Sequence, residues 1–403
     1  MNALEFDIII LGGGLVGLTA ANLCAQQGFS VALVERQEPQ LSWDNNHFDI
    51  RCSAISKASQ IIFQEMGVWE SMLKERVSAY QRMHVWDARG FGEITFDSAE
   101  VGTADLGHII ENRVMQKALW ENAKHGMQVH FFVPANPMAL HVEPDHVMLT
   151  LNDQTKLKAK LIIGADGGQS WLREFMHIES KKHDYHQNAL VATVCTELSH
   201  QQTAWQRFLP EGPLAFLPLR NIETSNQYNQ SNLSSIVWTS TTEKTKALMA
   251  LTETKFCEEL AHAFDYRLGH VLSTAERRDF SLSSLHAKHY IAARVALIGD
   301  AIHVIHPLAG QGVNLGLGDA QKLVETLSSA NKRGSDIGNH LILRKYERAR
   351  KGKILSTLMA MDFFNRSFAR EDTLSLGLRS MGLNFVDKAA FLKKKMMLQA
   401  MGL

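Results

Sequence analysis

The stretch EFDIIIL at residues 5–11 ends in four consecutive apolar positions, the pattern of a strand buried on both faces. Leu15 to Gln27 then carries apolar residues at helical spacing as far as Gly28, and FSVALVE at 29–35 returns to a β-branched strand. A strand, a helix and a strand in that order predict parallel pairing with the helix laid across the sheet. Helical spacing recurs at 56–76 and at 112–125, and KLKAKLIIGADG at 156–167 predicts a further buried strand running into a glycine turn. From 185 to 285 the texture changes to short apolar runs (ALVATVCTEL, GPLAFLPL, LSSIVWTST) between polar turns, which predicts an antiparallel sheet. The Asn/Gln/Ser-rich stretch 222–234 is expected to be a mobile hairpin loop. At 291 the buried-strand texture returns in IAARVALIGDA, followed by a glycine-rich loop and a long helical region from 313.

The first texture resumes after the second ends, so a nested α/β arrangement is expected. Residues 1–75, 111–184 and 286–350 would form a Rossmann-like cofactor domain, 76–110 and 185–285 a substrate-facing sheet, and 351–403 C-terminal helices. With 403 residues, 42 Lys+Arg against 42 Asp+Glu and 45% hydrophobic residues, the chain has the composition of a folded protein with no net field to hold nucleic acid. Cys24, Cys52, Cys195 and Cys257 are isolated, as expected in a reducing cytoplasm, and no membrane span or secretory signal is read.

Three segments carry chemistry. Gly12-Gly13-Gly14-Leu15-Val16-Gly17 is a G-x-G-x-x-G between strand and helix, with Glu35 closing the next strand 18 residues after Gly17. The glycines allow a tight turn, the helix N-terminus faces a pyrophosphate, and the acid accepts from ribose hydroxyls. Gly164-Ala165-Asp166-Gly167, with Ser170 and Arg173, and Gly299-Asp300-Ala301-Ile302-His303 each place an aspartate just beyond a buried strand. Either aspartate taken singly reads rather as a turn cap. Gly310-Gln311-Gly312 opening a helix is a nest of backbone N–H groups suited to negative charge. His303 and His306 stand at i, i+3, but no third ligand has matching spacing, so no metal site is expected.

This ordered set, with GADGGQSWLR and GDAIHVIHPLAGQGVNLGLGDA, resembles the flavin-dependent aromatic hydroxylases of the p-hydroxybenzoate hydroxylase type over essentially the whole chain. Asp49-Ile50-Arg51 with Ser53-Ala54-Ile55-Ser56, LGHIIENRVMQKALW, YERARK, LRSMGLNFVD and QAMGL are similar to the UbiH/UbiF/VisC ubiquinone-biosynthesis hydroxylases. VWDARGFGEITFD, NALVATV and FDYRLG resemble the VisC-type (UbiI) members, which hydroxylate C5 of a polyprenylphenol ring. The resemblance implies an FAD monooxygenase consuming NAD(P)H and O2 through a flavin C4a-hydroperoxide. It also implies a polyprenylphenol substrate and other ubiquinone-biosynthesis proteins as partners, and it is compatible with a homo-oligomer.

By the same resemblance Gly12, Gly14, Gly17 and Glu35 would bind the ADP half of FAD, with Arg36 nearby, and Arg51 and Arg113 would contact flavin or its phosphates. Asp166 would serve FAD and NAD(P)H, and Asp300 the ribityl chain; Pro307, Gly310, Gly312, Val313 and Asn314 would surround the ring. Ile302 departs from the small residue usual at its position. No residue stands out as general base; Pro307, Gly310 and His303 are the candidates nearest the chemistry, with a supporting hydrogen bond the plainer role for the histidine. Phe208, Phe216, Leu217 and Trp238 are expected either to line the pocket or to be plain core. A flavin halogenase is disfavoured because no W-x-W occurs, a plain dehydrogenase leaves the Asp300 and Gly310 segments unexplained, and a flavin-holding scaffold stays open. Phe385, Ala389, Leu392, Met396, Ala400 and Leu403 fall at helical spacing beside Lys388, Lys393, Lys394 and Lys395. That stripe reads either as packing on its own domain or as peripheral contact with an anionic inner-membrane surface or a partner.

Overall fold

With no polar face, Ile8 to Leu11 can only be satisfied inside a sheet, and the strand Leu4–Leu11 has a parallel neighbour on each side. The computed structural model describes residues 3–44, 48–220, 231–305, 311–369 and 385–403. Lys156–Gly164 and Val31–Val34 flank that first strand, and Val295–Leu297 and Val129–Phe132 extend the parallel sheet outward. Ile291–Ala292, Val147–Leu151 and Pro137–Val142 add antiparallel strands. The sheet thus draws on three separated stretches of chain. Helix Leu15–Gln26 packs on it between Asn112–His125 and Gln311–Asn331. The buried Asn22 amide fastens this packing by donating to the carbonyls of Leu18 and Leu119, both at 2.9 Å.

Among the described residues the second sheet has nine strands, most of them between residues 180 and 287, and Arg82–Asp87 and Glu93–Asp97 complete one edge. It is antiparallel as expected except at one place, where Arg82–Asp87 runs parallel to Thr203–Leu209. Helices Thr242–Ala250 and Glu253–Ala263 cover its outer face, on which Leu190, Leu214, Phe216, Ile236 and Trp238 meet Leu248, Phe256 and Leu260. A small third sheet joins Cys52–Ser56, Gly107–Glu111 and Val77–Tyr80.

Several boundaries differ from the sequence pattern for physical reasons. The helical stretch 56–76 is two helices, Lys57–Glu65 and Trp69–Leu73, because Gly67 turns the chain at φ +75°. Strand Ser180–Thr196 starts earlier than the apolar run and carries a bulge between Asp184 and Gln187. Most of the polar stretch 222–234 lies outside the described residues, but Leu233 and Ser234 already belong to strand Leu233–Thr241. Ile302 is fully buried in the main core.

Candidate functional site

Three neighbouring parallel strands, Val295–Leu297, Lys156–Gly164 and Leu4–Leu11, end beside one another, so the loops at 299–303, 164–168 and 12–14 meet at the carboxyl edge of the sheet. Backbone contacts fix this convergence: Ala165 N donates to Leu11 O at 2.8 Å and Ile298 N to Gly164 O at 2.9 Å. Arg173, sealed inside, donates to Gly168 O at 2.8 Å and to Ala301 O at 3.0 Å, tying the second loop to the third.

The first loop needs its glycines. A Cβ on Gly12, which sits at φ +103°, would stand 2.3 Å from the Ala165 carbonyl oxygen, and one on Gly17 would stand 2.0 Å from Gly12 O. Gly14 is different, because a Cβ there would meet nothing within 4 Å. Gly14 opens helix Leu15–Gln26 with no side-chain cap and no acid in the first turn, so the helix dipole and its first N–H groups face open space. Glu35, ending strand Val31–Val34, accepts from Gly13 N at 2.5 Å and from Gln37 N at 3.1 Å, and Arg36 beside it is exposed.

Asp166 accepts from Leu172 N at 3.1 Å through Oδ2, while its buried Oδ1 has no protein partner. Burial pushes its carboxyl up, against the Ser170 hydroxyl and the Leu172 and Trp171 N–H groups that favour the anion. Asp300 is open to solvent yet crowded by protein on most sides, as a side chain on a cleft floor is. Burial raises its carboxyl too, with His303 and Arg51 opposing and Asp319 adding to the rise. His303 is fully enclosed: Nε2 donates to Asp319 Oδ2 at 2.6 Å, and Nδ1 has no protein partner. Asp319 also accepts from Arg350 Nε at 2.6 Å and Gly299 N at 3.2 Å.

The opposite wall is the strand Cys52–Ser56. Asn314, in the first turns of helix Gln311–Asn331, accepts from Ser56 N at 2.9 Å and donates to Ala54 O at 2.8 Å, clamping that strand to the helix. Gly312 and Val313 lie in the same turns. Pro307, Gly310 and His306 lie outside the described residues.

Arg51 places its guanidinium 4.8 Å from the Phe280 ring centroid, and Arg113 its own 4.7 Å from Trp43. Arg113 is further held by Glu111, whose buried carboxylate takes its Nη2 at 2.7 Å, Arg76 Nε at 2.8 Å and the Asp49 N–H at 2.6 Å. Burial pushes Glu111 up, and the two guanidinium groups and the Asp49 N–H pull it back toward the anion. Asp49 returns the contact by accepting from the backbone N–H groups of Arg51 and Arg113, both at 3.1 Å. Glu111, Asp319 and Arg350 are the site-supporting residues that the sequence left unassigned; all three lie inside the family-like segments, but a buried charged residue leaves no periodic signal.

The large sheet's inner face completes the wall. By strand alternation Ala189, Val191, Ser235, Leu217, Phe208 and Phe280 lie on that face, with Ser235 close to the Cys52 thiol. Burial, with Glu111 and Asp49 adding to it, holds Cys52 as a neutral thiol. Phe216 and Trp238 point the other way, the Phe216 ring standing 3.9 Å from Phe264, so both are core rather than pocket lining. Among the described residues no three His, Cys, Asp or Glu side chains converge as a metal group.

These features fit a dinucleotide: an open glycine facing a helix N-terminus, an acid at the second strand's end, and a buried unpartnered carboxylate oxygen beside the adjoining loop. Comparison with known proteins agrees, the FAD binding domain family matching residues 5–355. The chain is 34% identical over 397 residues to 3-demethoxyubiquinol 3-hydroxylase of Escherichia coli K12, covering 98% of each chain. It is 34% identical to ubiquinone hydroxylase UbiL of Rhodospirillum rubrum (98% of this chain, 89% of the relative). Identity to human mitochondrial ubiquinone biosynthesis monooxygenase COQ6 is 31%, over 97% of this chain and 92% of the relative. Among solved structures, p-nitrophenol 4-monooxygenase PnpA of Pseudomonas putida superimposes with a TM-score of 0.77 at 17% identity, covering 100% and 99% of the two chains. A PqsL mutant of Pseudomonas aeruginosa does so with a TM-score of 0.75 at 20% identity, covering 94% and 100%. At such identities these two speak for the fold alone.

Proposed function

The chain belongs to the FAD binding domain family, among the ubiquinone-biosynthesis hydroxylases, and from that premise we propose that it hydroxylates the aromatic ring of a polyprenylphenol at C5. It is an FAD-dependent monooxygenase, with NAD(P)H and O2 as co-substrates. Bound FAD, reduced by NAD(P)H, supplies the activation of O2 that a phenol ring needs for hydroxylation.

The chain's own residues hold and shield that chemistry. Gly12, Gly14 and Gly17 let the pyrophosphate reach the N-terminus of helix Leu15–Gln26, and Glu35 accepts from ribose. Arg36, Arg51 and Arg113 answer the phosphates, Asp166 uses its free Oδ1, and Asp300 takes the ribityl chain from the cleft floor. Gly312, Val313 and Asn314, with Pro307 and Gly310, border the ring. His303, Asp319 and Arg350 orient the Asp300 loop from behind. The inner sheet face, closed against Cys52 through Ser235, keeps water from the reacting ring.

On this reading 1–75, 111–184 and 286–350 form the cofactor unit, 76–110 and 185–285 the substrate unit, and 351–403 the C-terminal helices. The protein works in the cytoplasm at the inner membrane's surface with other proteins of the pathway, as a homo-oligomer. The single observation that carries the reading is the meeting of the three motif loops at one sheet edge, locked by Arg173 between Gly168 and Ala301.

The printed activity of the E. coli relative supports a second reading, in which the ring hydroxylated is that of a demethoxyubiquinol. Mass spectrometry of quinone precursors in cells lacking this protein separates the two. Accumulation of the ring without its C5 hydroxyl, rescued by wild type but not by Asp300→Ala, is the expected result. Accumulation of a demethoxy precursor moves the hydroxylation to the other carbon, and rescue by Asp300→Ala would mean a scaffold rather than an enzyme.

A further inference from the structure

Residues 388–403 contain four lysines and no acid, and helix Ala390–Met401 sorts three of them, Lys393, Lys394 and Lys395, by face. Lys393, Met397 and Met401, at i, i+4 and i+8, turn inward. The two methionines close on Leu106 with Tyr80, Met83, Phe96 and Val101 around them. Lys393 Nζ bonds Glu100 at 2.8 Å and Asp387 at 3.1 Å, so one lysine is consumed in docking the helix to its own protein. Gly402, in the left-handed region, ends the helix against Ala58.

That anchoring turns the other side of the helix outward. Phe391 is 85% exposed, Phe385 67%, Leu403 59% and Leu392 39%, interleaved with exposed Lys388, Lys394 and Lys395. The buried stripe therefore lies one position along from the one the sequence spacing suggested: Leu392, Ala400 and Leu403 face out, Ala389 and Met396 are half-buried. The acids nearest this face in sequence and contact, Asp387 and Glu100, are both held by Lys393. No helix among the described residues is long and apolar enough to cross a membrane.

We propose that Phe385, Phe391, Leu392 and Leu403, with Lys388, Lys394 and Lys395, form a docking face for the surface of an anionic phospholipid bilayer. The face pairs large apolar side chains with charge of one sign, the combination that inserts shallowly while its cations meet lipid phosphates. A second copy of the chain fits poorly, because a two-fold contact would set lysines against lysines. Lysine is also depleted from the cores of protein–protein interfaces. Position adds a reason. The apolar cluster beneath the helix shares Met83 and Phe96 with the cluster of Val85, Ile94 and Phe208 on the inner face of the large sheet, which continues toward Leu217 and Ser235 beside Cys52. A bilayer at the helix would thus lie at the end of an apolar strip leading to the candidate site. The proposal rests on exposure and charge and deepens the reading of a lipid-tailed substrate.

Co-sedimentation of the full-length FAD-loaded protein with vesicles tests it, using phosphatidylcholine alone and equal parts phosphatidylcholine and phosphatidylglycerol. Binding is expected to the anionic vesicles only, and to be released by salt. Phe385→Ser with Phe391→Ser abolishes it, and Lys394→Ala with Lys395→Ala weakens it about twenty-five-fold, at roughly fivefold per lysine. Flavin absorbance, melting temperature and turnover of a short-tailed phenol stay at wild-type values in these variants, which separates failure of docking from failure of the catalytic reading. Absence of binding by the wild type, or equal binding by wild type and both variants, overturns the proposal. So does conversion of a dimer to a monomer by the phenylalanine changes with vesicle binding unaltered, which would make the face a contact between copies.

Discussion

His303 and Asp319 are joined Nε2 to Oδ2 over 2.6 Å with both side chains sealed from solvent, and Arg350 closes on the other carboxylate oxygen at the same distance. One buried carboxylate thereby holds the histidine at the end of the Gly299–Asp300 loop, the Gly299 N–H and an arginine from helix His340–Ala369. Asp319→Ala strands the Arg350 charge and is expected to cost about 3–5 kcal/mol of stability. FAD affinity falls with it as the Asp300 loop loosens. Denaturant melts of the apoprotein and a flavin fluorescence titration read the two effects separately.

The two ends of the glycine motif should respond differently to one added methyl group. Gly17→Ala drives Cβ to 2.0 Å from Gly12 O, so flavin binding and folding are lost together. Gly14→Ala meets no protein atom within 4 Å, and its stability should stay within about 1 kcal/mol of wild type. If the pyrophosphate lies over Gly14, FAD affinity nonetheless drops at least tenfold. Absorbance at the flavin bands beside a thermal melt checks both variants.

Asp336 supplies an acid-sensitive contact away from the site. Arg294 holds it through Nη2 at 2.5 Å and Nη1 at 3.2 Å. Burial alone would raise the Asp336 carboxyl, but the Arg294 guanidinium and the Gly338 N–H outweigh it and hold the group below its ordinary value of 3.8. A depressed folded value means stability that is present above pH 3.8 and lost as pH falls through the still lower folded value. Asp336→Asn should cost about 1 kcal/mol at pH 7, a figure kept small because the carboxylate is partly exposed, and nothing at the acid end. Urea melts across the acid range show whether the two curves converge.

The two faces of the large sheet predict opposite phenotypes. Trp238→Ala empties the outer core and should cost about 3–5 kcal/mol. Leu217→Trp, on the inner face, should change the melting temperature little and raise KM for the phenol. Calorimetry and steady-state kinetics distinguish them, and a KM unchanged by Leu217→Trp would remove the inner face from the substrate wall.

The elements that decide the cofactor were legible in the sequence because each is local. The glycine motif sits within one strand, turn and helix, and the aspartates of 164–167 and 299–303 follow apolar runs that have no other use. What was not legible depends on contacts between distant residues. Nothing near Arg82–Asp87 announces a parallel partner at Thr203–Leu209, since parallel pairing leaves no turn signal. Phe216 and Trp238 read as wall or core alike until strand alternation assigns their face. The C-terminal helix is apolar on more than one side, so spacing alone could not choose between Leu392 and Met397 for the interior; the Lys393 contacts with Glu100 and Asp387 decide it. Asp319 was hidden for a similar reason, its partner Arg350 lying 31 residues away, and so was the contact of Glu111 with Arg76, 35 residues away.

Supplying the purified FAD-loaded protein with NADPH, a 2-polyprenylphenol and 18O2 tests the central claim most directly. The account predicts a hydroxylated ring carrying one 18O atom, and none when the label is in water. A product labelled from water, or consumption of NADPH and O2 that yields hydrogen peroxide with the ring untouched under every substrate tried, would contradict it.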